Sequence, residues 1–208
     1  MSTISHMKKI SQEQRALKAL HKNNIMSAKD LGARGIHSET LGRLARSGQL
    51  ERVSRGLYRI AGNGVAEHGA FAVVSAAAPT AVICLLSALA YHGVGTQLPP
   101  RVWVALDRRT RKPALEYPPL EVVRFGGTAL TQGVEKHEIE GRSVRVYSVA
   151  KTVADCFKYR NKIGLDVAIE ALTEAWRARR ITMDEALRYA RVCRVARVMT
   201  PYLRSLGE

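Results

Sequence analysis

Glu39, Arg43 and Arg46 recur at intervals of three and four residues, so a helix over this stretch projects them from one side. Leu41, Leu44 and Ala45 fall on the opposite side, with Thr40 and Ser47 on one flank of the charged face. Long basic side chains beside short hydroxyls suit a major groove, where Arg reads guanine edges and Thr touches a thymine methyl. Gly42 leaves room for a close backbone approach. Arg52, Arg55 and Arg59 follow as a second basic cluster, of the kind that grips phosphates and fixes register. The residues expected to meet double-stranded DNA are therefore Ser38, Glu39, Thr40, Arg43, Arg46, Arg52, Arg55 and Arg59. A merely solvated basic surface and RNA are the competing readings.

Catalytic chemistry finds no comparable constellation. The chain has no Gly-rich phosphate loop, no GxSxG elbow and no HExxH. A restriction-type nuclease needs an acid on one strand and Glu-x-Lys on the next, so that metal and base converge. Asp107 ends one apolar stretch, but Glu121 is followed by two valines and Glu140 by Gly-Arg. His68, His92 and Cys84 match no common zinc spacing, and His92 beside Gly93 reads as a helix end. Cys84, Cys156 and Cys193 are far apart in apolar surroundings, which predicts buried thiols rather than a disulfide framework. The expectation is a protein without catalytic residues, metal or cofactor.

The elements that position the basic residues are legible nearby. Ser11 with Gln14 fits a capping box ahead of Ala16, Leu17 and Leu20, and Ser27 with Asp30 starts a second, short helix ending by Gly32 or Gly35. Ser38 is expected to cap the third helix, which stops near Gly48. Leu50–Val53 and Leu57–Ile60 then read as two strands around Ser54-Arg55-Gly56. Three helices and a hairpin in this order predict a winged helix-turn-helix over residues 1–62. Ala61-Gly62-Asn63-Gly64 is the expected joint, and 63–208 a second domain.

In that second part, helices are expected at Val65–Ala78 and Thr80–His92. Strands are expected at Arg101–Leu106, Leu120–Phe125 and Arg142–Tyr147, with a basic loop at Asp107–Pro113. Turns, and room for one more strand, lie between Gly126 and Gly141. Ser148 opens a helical C-terminal third, in which Thr182 and Glu185 form another capping box and Pro201 bends the last helix. The fold class is α+β: a winged helix-turn-helix plus a larger mixed domain with a small sheet.

Composition fits this reading. The chain of 208 residues carries 33 Lys and Arg against 18 Asp and Glu, a net charge of +15, which attracts polyanions or acidic proteins. Residues 1–62 hold 12 of the bases and 4 of the acids, so this shorter part is the more densely charged. Gly69–Tyr91 has no charged residue and the length to cross a bilayer, but Ala content and Pro79-Thr80 argue for two buried helices. The polar N-terminal residues predict no signal peptide, hence a cytoplasmic protein. Lys158, Arg160, Lys162, Arg177, Arg179, Arg180, Arg188, Arg191, Arg194 and Arg197 form a second basic set. Solvated helix faces compete there with a surface for an acidic protein or nucleic acid.

The chain resembles the AbiEi family, antitoxins of type IV toxin–antitoxin systems linked to abortive infection. The likeness rests on SRGLYRI (Ser54–Ile60), VICLLSALAYHG (Val82–Gly93) and VYSVAKTVADCFKYRNKIGLDVAIEAL (Val146–Leu172), the last being the most specific. It implies that the winged helix binds inverted repeats in its own promoter as a repressor, through the residues named above, as a cooperatively binding monomer or weak dimer. It also implies that the C-terminal helices and their basic face counter a nucleotidyltransferase-like toxin, with or without direct contact. The alternatives are a stand-alone winged-helix regulator with a ligand-sensing or dimerisation domain, and a DNA-targeted nuclease using Asp107.

Overall fold

The computed structural model describes residues 10–62 and 68–206. Helix α1 (Gln12–Asn23) starts at the expected capping box: Ser11 accepts from the Gln14 amide and the Gln14 side chain returns to Ser11 N. A three-residue strand, β1 (Ile25–Ser27), follows, and Ser27 caps α2 (Ala28–Gly32). Helix α3 (Ser38–Arg46) begins one residue earlier than expected: His37 is its N-cap and makes no side-chain capping bond, so Ser38 is its first residue rather than its cap. Strands β2 (Leu50–Ser54) and β3 (Leu57–Ile60) form the hairpin, and the sheet order is β1-β3-β2, all antiparallel. Three helices, the interposed β1 and the hairpin give the winged helix-turn-helix arrangement.

Of the expected joint Ala61-Gly62-Asn63-Gly64, the last two residues lie outside the described residues, as does the expected helix start at Val65. Helix α4 (Gly69–Ala77) comes next. A second helix from Thr80 does not form as expected. Val82 and Ile83 are instead a short strand, β4, and helix α5 is Leu85–His92. The physical reason is tertiary: Val82 and Ile83 fill the middle of a five-stranded sheet, where paired backbone and two apolar faces outweigh helical continuity. The other strands are β5 (Val102–Asp107), β6 (Leu120–Phe125), β7 (Val134–Ile139) and β8 (Arg142–Tyr147), with a short helix α6 (Thr128–Thr131) between β6 and β7. Their order is β6-β5-β4-β8-β7, with β5·β6 and β4·β8 parallel and the outer β7·β8 pair an antiparallel hairpin.

The C-terminal third is helical as expected: α7 (Val149–Lys158), α8 (Arg160–Ile163), α9 (Leu165–Arg177), α10 (Met183–Val192) and α11 (Ala196–Ser205). Ser148 caps α7, Thr182 and Glu185 close a capping box on α10, and Pro201 sits inside α11. No helix is long and apolar enough to cross a membrane among the described residues.

Alternation along the strands feeds separate cores on opposite sheet faces. Val82, Trp103, Ala105, Val123 and Tyr147 pack with α5, α7, α9, α10 and α11. Ile83, Val104, Leu106, Val144 and Val146 pack with α4 on the other face. That second core also contains Ile25 and Leu57 from the N-terminal sheet, whose opposite face (Met26, Leu50) closes on α1–α3. The N-terminal sheet is thus covered by its own helices on one side and by the body on the other.

Candidate nucleic-acid interface

The geometry of α3 follows from two buried leucines. Leu41 and Leu44 have almost no exposed surface, which fixes the helix rotation and leaves Glu39, Arg43 and Arg46 exposed on the far side. Ser38 is also exposed at the start of the helix. Arg43 is held at the surface by Glu13 of α1, Nε to Oε1 at 2.8 Å, with both side chains still well open to solvent. Arg46 lies over its own helix and donates to the Gly42 carbonyl at 3.3 Å.

Thr40 is the first correction. It is buried, and its hydroxyl donates to Gln12 Oε1 at 3.1 Å, so it faces α1 and cannot touch a base. Its ring position on the helical wheel borders the apolar side, and the neighbouring α1 covers that border. The same Gln12 oxygen accepts from the His37 amide at 3.1 Å. Gln12 and Glu13 together tie the first turn of α1 to α3, a positioning role that sequence reading did not identify. A single polar side chain carries no periodic signal by which to find it.

The hairpin divides its three arginines. Arg52 stands opposite Tyr58 on the sheet face that meets the helices and is exposed; Arg55 is exposed at the turn. Gly56 follows it with φ +73, the conformation a side chain would resist. Arg59 is the second correction. It shares strand parity with Leu57, so it faces the body, is only 16% exposed and is paired with Glu51 at 2.8 Å. Ser38, Glu39, Arg43 and Arg46 are exposed on α3, and Arg52 and Arg55 are exposed on the hairpin. Thr40 and Arg59 serve packing instead.

The second basic set also splits. Lys162 is spent on Glu121 and lies over Trp103, 5.1 Å from the ring centroid. Arg180 donates to the His92 carbonyl, Arg160 to the Phe157 carbonyl at 2.9 Å, and Lys158 lies 5.6 Å from the Phe125 centroid. Arg177, Arg179, Arg188, Arg191, Arg194 and Arg197 are exposed, and none reaches a carboxylate among the described residues. They mark the end of α9, the outer side of α10 and the turn into α11.

Beneath this surface is a buried polar centre that sequence reading missed. Lys151 and Asp155 have no exposed side-chain surface and pair at 2.6 Å. The Cys193 thiol donates to the other Asp155 oxygen at 3.1 Å, and Lys151 Nζ lies 4.0 Å from the Tyr147 ring centroid. Burial raises the Asp155 carboxyl above its ordinary range, and Lys151 and Cys193 work against that rise. Burial and the Asp155 charge push the Cys193 thiol up. The signal was the i, i+4 spacing of Lys and Asp inside an apolar stripe. All three cysteines are buried free thiols, as expected. Asp107 ends β5 and accepts from the Arg109 amide at 2.9 Å, which makes it a loop-capping residue, while Glu121 is taken by Lys162. No group of three His, Cys, Asp or Glu suited to a metal occurs among the described residues.

Comparison with known proteins agrees with the N-terminal geometry. A family described as "Transcriptional regulator, AbiEi antitoxin" matches residues 14–61, which span α1 to the end of β3. The resemblance stated above is met on that segment. A solved structure, that of the RV2827C protein from Mycobacterium tuberculosis, is similar in fold with a TM-score of 0.59. The two are 14% identical over 88% of this chain and 72% of that one. No curated protein matches the chain.

Proposed function

We propose that this chain is a non-catalytic, autorepressing antitoxin that reads its own promoter through α3 and counters a nucleotidyltransferase-like toxin through its C-terminal helices. The observation that carries the reading is the exposed face of Glu39, Arg43 and Arg46, flanked by Arg52 and Arg55, within the segment that matches antitoxin regulators. Arg43 and Arg46 supply forked donors for guanine edges, and the hairpin arginines supply phosphate contacts. Repressor binding would be to inverted repeats in double-stranded DNA, by monomers acting cooperatively or by a weak dimer. The antitoxin half rests on the exposed set at Arg177, Arg179, Arg188, Arg191, Arg194 and Arg197, none of which is paired with a carboxylate among the described residues, so the set suits an acidic partner.

Two readouts in cells separate the halves. Arg43→Ala with Arg46→Ala should release a reporter driven by the upstream region while leaving rescue from the neighbouring toxin intact. Arg188→Glu with Arg191→Glu should do the reverse. Loss of both functions in both variants would contradict the division of labour, provided each variant keeps the parent melting temperature.

A further inference from the structure

Between the helix-turn-helix and the β7–β8 hairpin lies a cleft of about 780 Å³, within the size range of small-molecule sites. Asn23, Met26 and Arg34 line it from the N-terminal side, and Lys136, Arg142 and Arg145 from the hairpin. Asp30 is its only acidic lining residue among the described residues, and Arg142 neutralises it at 3.4 Å while also donating to the Ile25 carbonyl. Arg34, Lys136 and Arg145 then have no ion-pair partner among the described residues. Lys136 and Arg145 stand directly opposite each other on antiparallel strands, a pairing that destabilises a sheet unless an anion lies between. Arg145 fixes its guanidinium with one bond to the Thr80 carbonyl at 2.8 Å, which leaves its other donors for a ligand. Arg34 lines the same cleft from the loop between α2 and α3.

We infer that this cleft binds a phosphate-bearing small molecule of nucleotide size. Lys136, Arg145 and Arg34 are the donors for its phosphoryl oxygens, each a charge-assisted hydrogen bond. Asn23 commits its amide N–H to the Ala19 carbonyl and keeps its oxygen as an acceptor, and Met26 with Pro79 offers an apolar contact. Such a ligand touches both the helix-turn-helix and the body, so its occupancy bears on how rigidly the two are joined. The inference does not depend on the promoter-binding reading, because its test contains no operator.

The full chain would be titrated with guanosine triphosphate, adenosine triphosphate, inorganic triphosphate and sulfate at about 150 mM salt, where loose surface charges are screened. Calorimetry should give saturable 1:1 binding of a nucleoside triphosphate, about tenfold or more tighter than sulfate. Lys136→Gln with Arg145→Gln should weaken it by about tenfold or more, whereas Arg188→Gln with Arg191→Gln should change it by less than about twofold. Without ligand the Lys136→Gln, Arg145→Gln protein should melt close to the parent, since relief of the like-charge opposition offsets the lost bond to the Thr80 carbonyl. Equal loss in both variant pairs would reduce the effect to nonspecific polyanion attraction and overturn the inference. Absence of saturable binding would do the same. Dependence on Lys136 and Arg145 seen only with a random duplex, and not with nucleotides, would assign the cleft to a nucleic-acid backbone and overturn it equally.

Discussion

Arg43 lies on the exposed α3 face with Glu13 2.8 Å from its Nε, so under the proposed function a duplex would have to take this guanidinium from a carboxylate. Arg43→Ala should cost about 1–3 kcal/mol of binding to the preferred duplex and relax selection at one base position. Glu13→Gln should raise affinity for all duplexes alike, because it removes a negative charge and a competitor without adding a base contact. Thr40→Val should leave sequence preference unchanged and lower stability by about 0.5–1.5 kcal/mol through the lost bond to Gln12, read by urea denaturation. At the buried pair, Lys151→Met alone should cost about 3–5 kcal/mol, since it strands the Asp155 charge. The double variant Lys151→Met, Asp155→Leu should recover much of that loss. Helical parity located Arg43 and Arg46 correctly because Leu41 and Leu44 leave the helix only one way to turn. That parity does not place Thr40, whose side of the helix depends on where α1 packs, and charge alone does not place Arg59, whose side depends on strand parity.

At the scale of elements, capping chemistry proved the most legible signal. Ser11, Ser27, Ser148 and Thr182 each start a helix, and the alternating stretches Leu120–Phe125 and Arg142–Tyr147 are strands with the expected bounds. Strands β1 and β4, of three and two residues, are too short to carry a period and exist because neighbouring strands pair with them. The β7–β8 turn is one such dependent feature. Gly141 has φ +70, and a Cβ there would lie 2.7 Å from the Lys22 carbonyl oxygen. Gly141→Ala should therefore lower stability by about 1–3 kcal/mol and loosen the hairpin from α1, visible as faster amide exchange across both. Helix α5 ends on His92, whose Nε2 lies 2.7 Å from the Tyr147 carbonyl oxygen. Burial lowers its pKa, and Arg180 and His137 add to this, against the opposing pull of the Tyr147 carbonyl and Glu135. The unfolded chain then binds this proton more readily, so stability should fall as pH drops below about 6.5, the ordinary imidazole value. His92→Gln, which keeps a donor, should flatten the melting-temperature profile between about pH 7 and 5. An unchanged slope would exclude His92 as its source.

Across the whole molecule, three cores are stacked rather than separated. Ile25 and Leu57 pack with Phe71 and Ile139, so removing residues 63–208 would expose a face of the N-terminal sheet. This sharing could not be read from Ala61-Gly62, which looks like a joint locally, because it depends on tertiary packing between residues as distant in sequence as Ile25 and Phe71. Binding studies therefore call for the intact chain. With it, the log–log salt slope of DNA binding should shrink by about one for each of Arg52→Ala and Arg55→Ala, and should not respond to Arg59→Ala. The most direct test of the α3 reading is the ratio of affinities of the intact chain for its own upstream duplex and for a random duplex, at about 150 mM salt. A ratio of about 10³ or more is expected, collapsing toward unity in the Arg43→Ala, Arg46→Ala protein. Equal affinity of the parent chain for both duplexes would contradict the account.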